Sequence, residues 1–175
     1  MDRGYTFIEV AIVAAIIAIL ASAIMPLAKV TMQREREMEL RRTLREVRTA
    51  INKFHDDAEG VVPKISPSDL PNTAEHYPQS LQIMVDGVAA NPASTANTNT
   101  ANPASMANSA NSTLTGKKLK YLRRIPVDPM TRSTEWGMRS SRDDSTSKSW
   151  GGQNVFDIYT KNEGRALDGT KYIDW

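Results

Sequence analysis

Residues 5–27 read YTFIEVAIVAAIIAILASAIMPL, and the fold turns on this stretch. From Val10 to Leu27 only Ser22 and Pro26 interrupt aliphatic, Ala or Met residues. The span Thr6–Leu27 holds 22 residues. As a helix rising about 1.5 Å per residue it would reach about 33 Å, enough to cross a hydrocarbon core. Glu9 is the only charge within it. A charge at the bilayer centre costs roughly 2.5–3.5 kcal/mol on insertion scales, and less near a helix end. Such a carboxylate calls for a partner of opposite sign.

An ordinary secretory signal is the simplest alternative, because Ala21-Ser22-Ala23 fits the small-residue cleavage pattern. Two features oppose it. The leader carries one Arg beside one Asp, and Glu9 intrudes on the apolar run. Flanking charge does not orient the segment: Arg3 lies on one side, and Lys29, Arg34 and Arg36 lie on the other with Glu35 and Glu37 among them.

The chain has 175 residues and a formal net charge of +2, room for one anchor and one small domain. Removing residues 1–4 would leave 171 residues and the same net charge, since Asp2 and Arg3 cancel. So near-neutral a balance gives no argument for nucleic acid. Arg34, Arg36, Arg41, Arg42, Arg45 and Arg48 alternate with Glu35, Glu37, Glu39 and Glu46. Spacings such as Glu37–Arg41 read as a solvated helix face with i,i+4 pairs. There are no cysteines. Small exported domains often depend on disulfides, so stability here must come from packing, a metal or neighbouring subunits.

The helix should continue beyond the apolar run. Leu40, Leu44, Val47, Ile51 and Phe54 step by 4, 3, 4 and 3, which places one apolar stripe on a helix. The expected helix runs from about Thr6 to Asp57, is kinked at Pro26, and is closed by Gly60 and Pro63. Residues 61–77 are Pro-rich and irregular, and Gln79–Val88 reads as a short helix. Residues 89–115 are almost entirely Ala, Asn, Ser, Thr and Pro, with ANPASTAN at 90–97 recurring as ANPASMAN at 101–108. No apolar face can form from them, so they read as a disordered surface loop. Order returns at Lys118, and Pro126-Val127-Asp128-Pro129 makes a turn. Thr134–Arg139, Asn154–Thr160 and Lys171–Trp175 read as strands. The expected division is 1–4 leader, 5–27 membrane and assembly helix, 28–60 helix continuing into the head, and 61–175 head. The fold class is α+β, a long helix packed on a small antiparallel sheet.

Gly4, Tyr5, Thr6 and Glu9 ahead of an apolar helix resemble the class III signal of type IV pilins and type II secretion pseudopilins. The resemblance implies cleavage after Gly4 by a membrane-embedded prepilin peptidase and N-methylation of Tyr5. It implies that Glu9 pairs with the N-terminal amine of a neighbouring subunit. Two unit charges about 4 Å apart at an effective dielectric near 20 gain about 4 kcal/mol, enough to offset burial of Glu9 within an assembly. Pro26 matches a family proline at which local melting helps filaments pack. A pilin-like lollipop, a long helix carrying a small head, is the implied architecture.

The head resembles one branch of that superfamily. Tyr121-Leu122-Arg123-Arg124-Ile125-Pro126-Val127-Asp128-Pro129, Trp136-Gly137 and Phe156-Asp157-Ile158-Tyr159-Thr160 are similar to motifs of the major pseudopilin of type II secretion. The missing cysteines weigh against a type IVa pilin, since many of those carry a C-terminal disulfide. In the pseudopilin family a calcium ion pins the C-terminal loop. Glu163 and Asp174 match that ligand set, and Asp168 is an additional candidate. Against calcium, Asn162-Glu163-Gly164 replaces the usual Gly-x-Asp-Gly with one residue missing, and Lys161 and Arg165 add positive charge. The plain alternative makes Asp168-Gly169 a turn and Asp174 a strand-end charge.

No catalytic set appears. His55 and His76 lack metal-ligand spacing and read as surface residues, and Gly116-Lys117-Lys118 lacks the rest of a phosphate loop. The expected function is therefore structural and not enzymatic. The subunit would sit in a bacterial inner membrane with its head in the periplasm. It would polymerise into a helical homo-oligomer, a pseudopilus that drives protein secretion, together with an inner-membrane assembly platform and minor pseudopilins. A type IV pilin or minor pseudopilin is one alternative. A secreted or tethered binding module cut after Ala23 is another.

Overall fold

The computed structural model describes residues 6–70, 75–95 and 118–175; the side chains of residues 23–27 and 95 are outside that description. One helix dominates. α1 spans Phe7–Glu59, 53 residues, and is assigned without a break through Pro26. At about 1.5 Å per residue it is about 80 Å long. Thr6 precedes it in extended conformation, and Glu9 lies in its first turn.

α1 has two halves with different surroundings. The described residues from Thr6 to Met32 are all exposed, with Phe7 at 91%. From Gln33 onward one face sinks into the head. Leu40, Leu44, Val47, Ile51 and Phe54 are each at most 2% exposed, so the whole predicted stripe is core. The first four, with Ala50, pack with Leu81, Met84, Leu122, Trp136, Val155, Ile158 and Tyr172. Phe54 and Ala58 form a second cluster with Ile65 and Val88. A 3.6-residue period delivers these side chains to one line along the helix, and burying each is worth roughly 1.5–3 kcal/mol.

The end of α1 is set by Asp57 more than by a glycine cap. Gly60 has φ −57° and ψ 158°, outside the left-handed region. Instead the Lys64 backbone N–H donates to the Asp57 carbonyl (2.8 Å), and Lys64 Nζ lies 2.6 Å from Asp57 Oδ1. Tyr121 Oη donates to Asp57 Oδ2 (3.2 Å). Burial first, then the charge of Asp57, pushes the Tyr121 hydroxyl far above the usual tyrosine range.

The remaining elements are short. α2 is Leu81–Asp86, capped where the Ile83 N–H reaches Ser80 Oγ. β1 (Val88–Ala89) pairs antiparallel with β2 (Lys118–Leu119), and α3 is Pro92–Thr95. β3 (Gly137–Arg139) pairs antiparallel with β4 (Asp157–Tyr159) in the register Gly137 opposite Tyr159. Gly137 has a steric reason: a Cβ there would run into the Tyr159 ring. A 3-10 helix at Tyr172–Asp174 ends the chain.

Several expectations change. The described strands form two two-stranded sheets, not one. Lys171–Trp175 is not a strand, because Tyr172 and Ile173 are both buried and cannot alternate in and out. The segment expected to be disordered from residue 89 instead carries the end of β1 and α3 as far as Thr95. There Ala90 bridges to Ile65, and buried Asn91 donates from Nδ2 to the Pro63 carbonyl (2.8 Å). Residues 96–117 lie outside the described residues, as do residues 1–5. Among the described residues no helix is long and apolar enough to cross a membrane. The apolar run is described with its side chains only from Thr6 to Ser22. The membrane helix expected over residues 5–27 is not met by the described residues.

Replacing Ile51 with Ala should remove about 2–5 kcal/mol of head stability, and Ile51→Val about 0.5–1.5 kcal/mol. Thermal unfolding of both variants checks this. Equal melting temperatures for Ile51→Ala and wild type would contradict a core built on the helix stripe.

Candidate functional site

Two places were expected to carry function, the N-terminal end of α1 and the C-terminal loop. At the first, Glu9 is exposed in the opening turn of α1. A carboxylate is favoured there by the positive end of the helix dipole. The Glu9 and Val10 backbone N–H groups donate to the Thr6 carbonyl at 3.0 and 3.2 Å, which starts the helix. Among the described residues the Glu9 side chain has no hydrogen bond or ion pair. Around it stand Phe7, Ile8, Val10, Ile12 and Val13, all more than half exposed. Gly4 and Tyr5, the expected cleavage and methylation positions, lie outside the described residues, and so does the Pro26 side chain.

At the second place the three acids do not converge. Glu163 Oε1 lies 2.8 Å from Lys148 Nζ. That hydrogen bond, with the lysine charge, holds the Glu163 carboxyl below its ordinary range. Asp168 Oδ1 accepts from Thr170 Oγ1 (2.6 Å) and the Thr170 N–H (2.9 Å), and Oδ2 lies 3.1 Å from Arg41 Nη2. The Thr170 hydroxyl bond is the main reason that this carboxyl is also held low. Asp174 sits on the 3-10 helix. Calcium takes six to eight oxygens, usually including several carboxylates. Among the described residues no three acids, histidines or cysteines form a group that could hold a metal. Two of the three expected ligands, Glu163 and Asp168, are engaged by Lys148 and Arg41.

Arginines of α1 tie the C-terminal segment to the helix. Arg41 reaches from α1 to Asp168, and its guanidinium stacks 4.1 Å from the Trp175 ring centroid. One and two turns further along α1, Arg45 keeps to its own helix while Arg48 enters the head. Arg48 Nε lies 2.6 Å from Asp157 Oδ1, and Nη2 donates to Asp157 Oδ2, to the Ile158 carbonyl and to the Trp175 carbonyl. Glu37, expected to pair with Arg41, instead accepts from Tyr172 Oη (2.8 Å) and the Leu167 N–H (3.0 Å). The mixed-charge face of α1 is thus partly an internal surface, because the C-terminal segment folds back over it.

The 121–129 segment also acquires a role. Asp128 is fully buried in the turn predicted there. Its carboxylate accepts from the Met130 N–H (2.8 Å), Thr131 Oγ1 (3.0 Å) and Thr160 Oγ1. Trp136 Nε1 donates to the Pro126 carbonyl (2.9 Å). The three motif segments of the head therefore bind one another. Neither Arg48 nor Asp128 was assigned such a contact from sequence. Arg48 follows Val47 on the flank of the stripe, which is the available signal.

With this geometry in hand, a family model for the prokaryotic N-terminal methylation motif matches residues 1–25. No curated protein and no solved structure matches the chain. The chain therefore carries a type IV pilin-like, class III prepilin signal. Signals of this kind are processed by prepilin peptidase, lead to pilus-like assembly, and mark membrane-anchored or exported proteins. The match ends well before the head.

Adding calcium or a chelator should leave the melting temperature of the head unchanged. Arg41→Ala should lower stability by about 1 kcal/mol, since its ion pair is half exposed and its stacking is modest. A rise in melting temperature with calcium would contradict the ion-pair account of the loop.

Proposed function

We propose that this chain is a non-enzymatic structural subunit, a pseudopilin that polymerises through α1 into a periplasmic filament serving type II protein secretion. The observation that carries the proposal is Glu9. It is a lone carboxylate without a partner among the described residues, on an exposed apolar helix, within a prepilin-type motif. Cleavage after Gly4 would create a new amine at Tyr5, which N-methylation leaves able to carry a positive charge. That amine, on a neighbouring copy, is the partner that Glu9 lacks. In apolar surroundings such a pair gains about 4 kcal/mol, whereas either charge alone is costly.

Before assembly the run Thr6–Leu27 is held in the inner membrane as a single pass, and the head projects into the periplasm. The exposed aliphatic side chains from Phe7 to Leu20 support this reading, since water is a poor solvent for so long an apolar surface. The partners are prepilin peptidase, an inner-membrane assembly platform and minor pseudopilins. The choice of a major pseudopilin over a type IV pilin is supported by the head segments around Asp128, Trp136 and Tyr159, which resemble that branch and interlock through Asp128 and Thr160. No calcium enters the proposal.

Replacing Glu9 with Leu should leave membrane insertion intact and reduce filament assembly at least about tenfold, consistent with loss of an ion pair worth more than about 1.4 kcal/mol. Sheared filaments counted by electron microscopy, beside membrane fractionation, make the measurement. Wild-type filament numbers from Glu9→Leu would sink the pairing.

A further inference from the structure

Where α1 leaves the apolar run, a groove of about 430 Å³ opens between the helix and the C-terminal loop. Lys29, Gln33 and Arg36 line it from the helix, and Asn162, Gly164 and Arg165 from the loop. The helical members are spaced i, i+4 and i+7, so they share one face. Helical side chains lean toward the N-terminus, which here is the direction of the apolar run. Lys29, Arg36 and Arg165 are exposed, and none of them has an ion pair among the described residues. Arg165 donates only to the Gly169 carbonyl, at 3.1 Å. No carboxylate lines the groove. On the helix, Glu37 accepts from Tyr172, Gln33 and the Leu167 N–H, and Glu35, next to Arg36, is not among the residues lining the groove. Three cations thus face one cleft that no carboxylate among the described residues lines.

The geometry points to a binding site for the phosphate headgroup of an anionic phospholipid. Position selects a lipid over other anions. Lys29 stands two residues past Leu27, about 3 Å along the helix axis, and Arg36 about 14 Å along it. The headgroup layer extends about 5–8 Å beyond the hydrocarbon on each side, and the long stems of Arg and Lys reach back toward it. Arg165 adds a charge from the head, so a bound headgroup would bridge helix and loop and fix the tilt of the head against the membrane. Fixed head orientation before polymerisation is a use that free phosphate could not serve. The inference rests on membrane insertion of the apolar run, as proposed above.

The test uses the full chain in vesicles of phosphatidylcholine alone and of phosphatidylcholine with phosphatidylglycerol. Flotation reports insertion, and native mass spectrometry of protein released from the mixed vesicles reports retained lipid. Wild type should float with both vesicles and retain phosphatidylglycerol selectively. The triple change Lys29→Gln, Arg36→Gln, Arg165→Gln should float equally and lose about tenfold or more of that enrichment. The charge-keeping triple Lys29→Arg, Arg36→Lys, Arg165→Lys should retain it, which separates a charge requirement from damage to the fold. Undiminished enrichment in the Gln triple would overturn the site. Stripping of the lipid by inorganic phosphate at matched ionic strength would assign the groove to a free anion and overturn the lipid reading. Failure of wild type to float with either vesicle would remove the membrane reading itself, a result distinct from flotation without enrichment.

Discussion

The structure depends on one helix serving two environments. Between Leu40 and Phe54 one stripe of α1 is the wall of the head core. Between Phe7 and Leu20 the same helix offers aliphatic side chains to its surroundings. There are no cysteines, and the described strands of the head are short and lie in two separate sheets. Burial of five large side chains on α1 is worth on the order of 10 kcal/mol before chain entropy is counted, comparable to the net stability of a small domain. A head built this way cannot detach from its helix and stay folded. Any force applied to the helix would reach the head through packed contacts.

A second consequence follows from the arginines of α1. The C-terminal segment folds back along the helix and is held there by Arg41 and Arg48, through Asp168, Asp157 and the Trp175 ring and carbonyl. The same helix therefore supplies the core and the cations that close the loop. Of the loop acids, Asp168 is held by Arg41 and Glu163 by Lys148. Arg48 is the stronger of the two contacts because it is more buried and because its fork reaches a carboxylate and two carbonyls.

Periodic features were legible in the sequence and tertiary captures were not. The helix expected over Thr6–Asp57 is found over Phe7–Glu59, and every residue of its apolar stripe is buried, because a 3.6-residue period is a local property. The expected helix at Gln79–Val88 shrinks to Leu81–Asp86, with Ser80 as its cap. Lys171–Trp175 is rich in the aromatic and β-branched residues that strands favour, but the captured Trp175 carbonyl and the buried Tyr172–Ile173 pair go with a 3-10 turn. Arg48 looked like any solvated arginine because its partners lie 109 and 127 residues away. Glu163, Asp168 and Asp174 are close in sequence, yet Lys148 and Arg41 draw the first two apart. At the N-terminal end, chemistry more than geometry made Glu9 readable, since one acid in an apolar run is costly wherever the chain folds.

That acid ties the head, the helix and the signal into one account. Its proposed partner does not exist until the leader is removed, so assembly would wait on processing. The most direct measurement is the mass of the mature N-terminus in purified membranes. The account predicts a chain beginning at N-methylated Tyr5. A chain beginning at Ile24, or one that still carries residues 1–4 in assembled material, would contradict it.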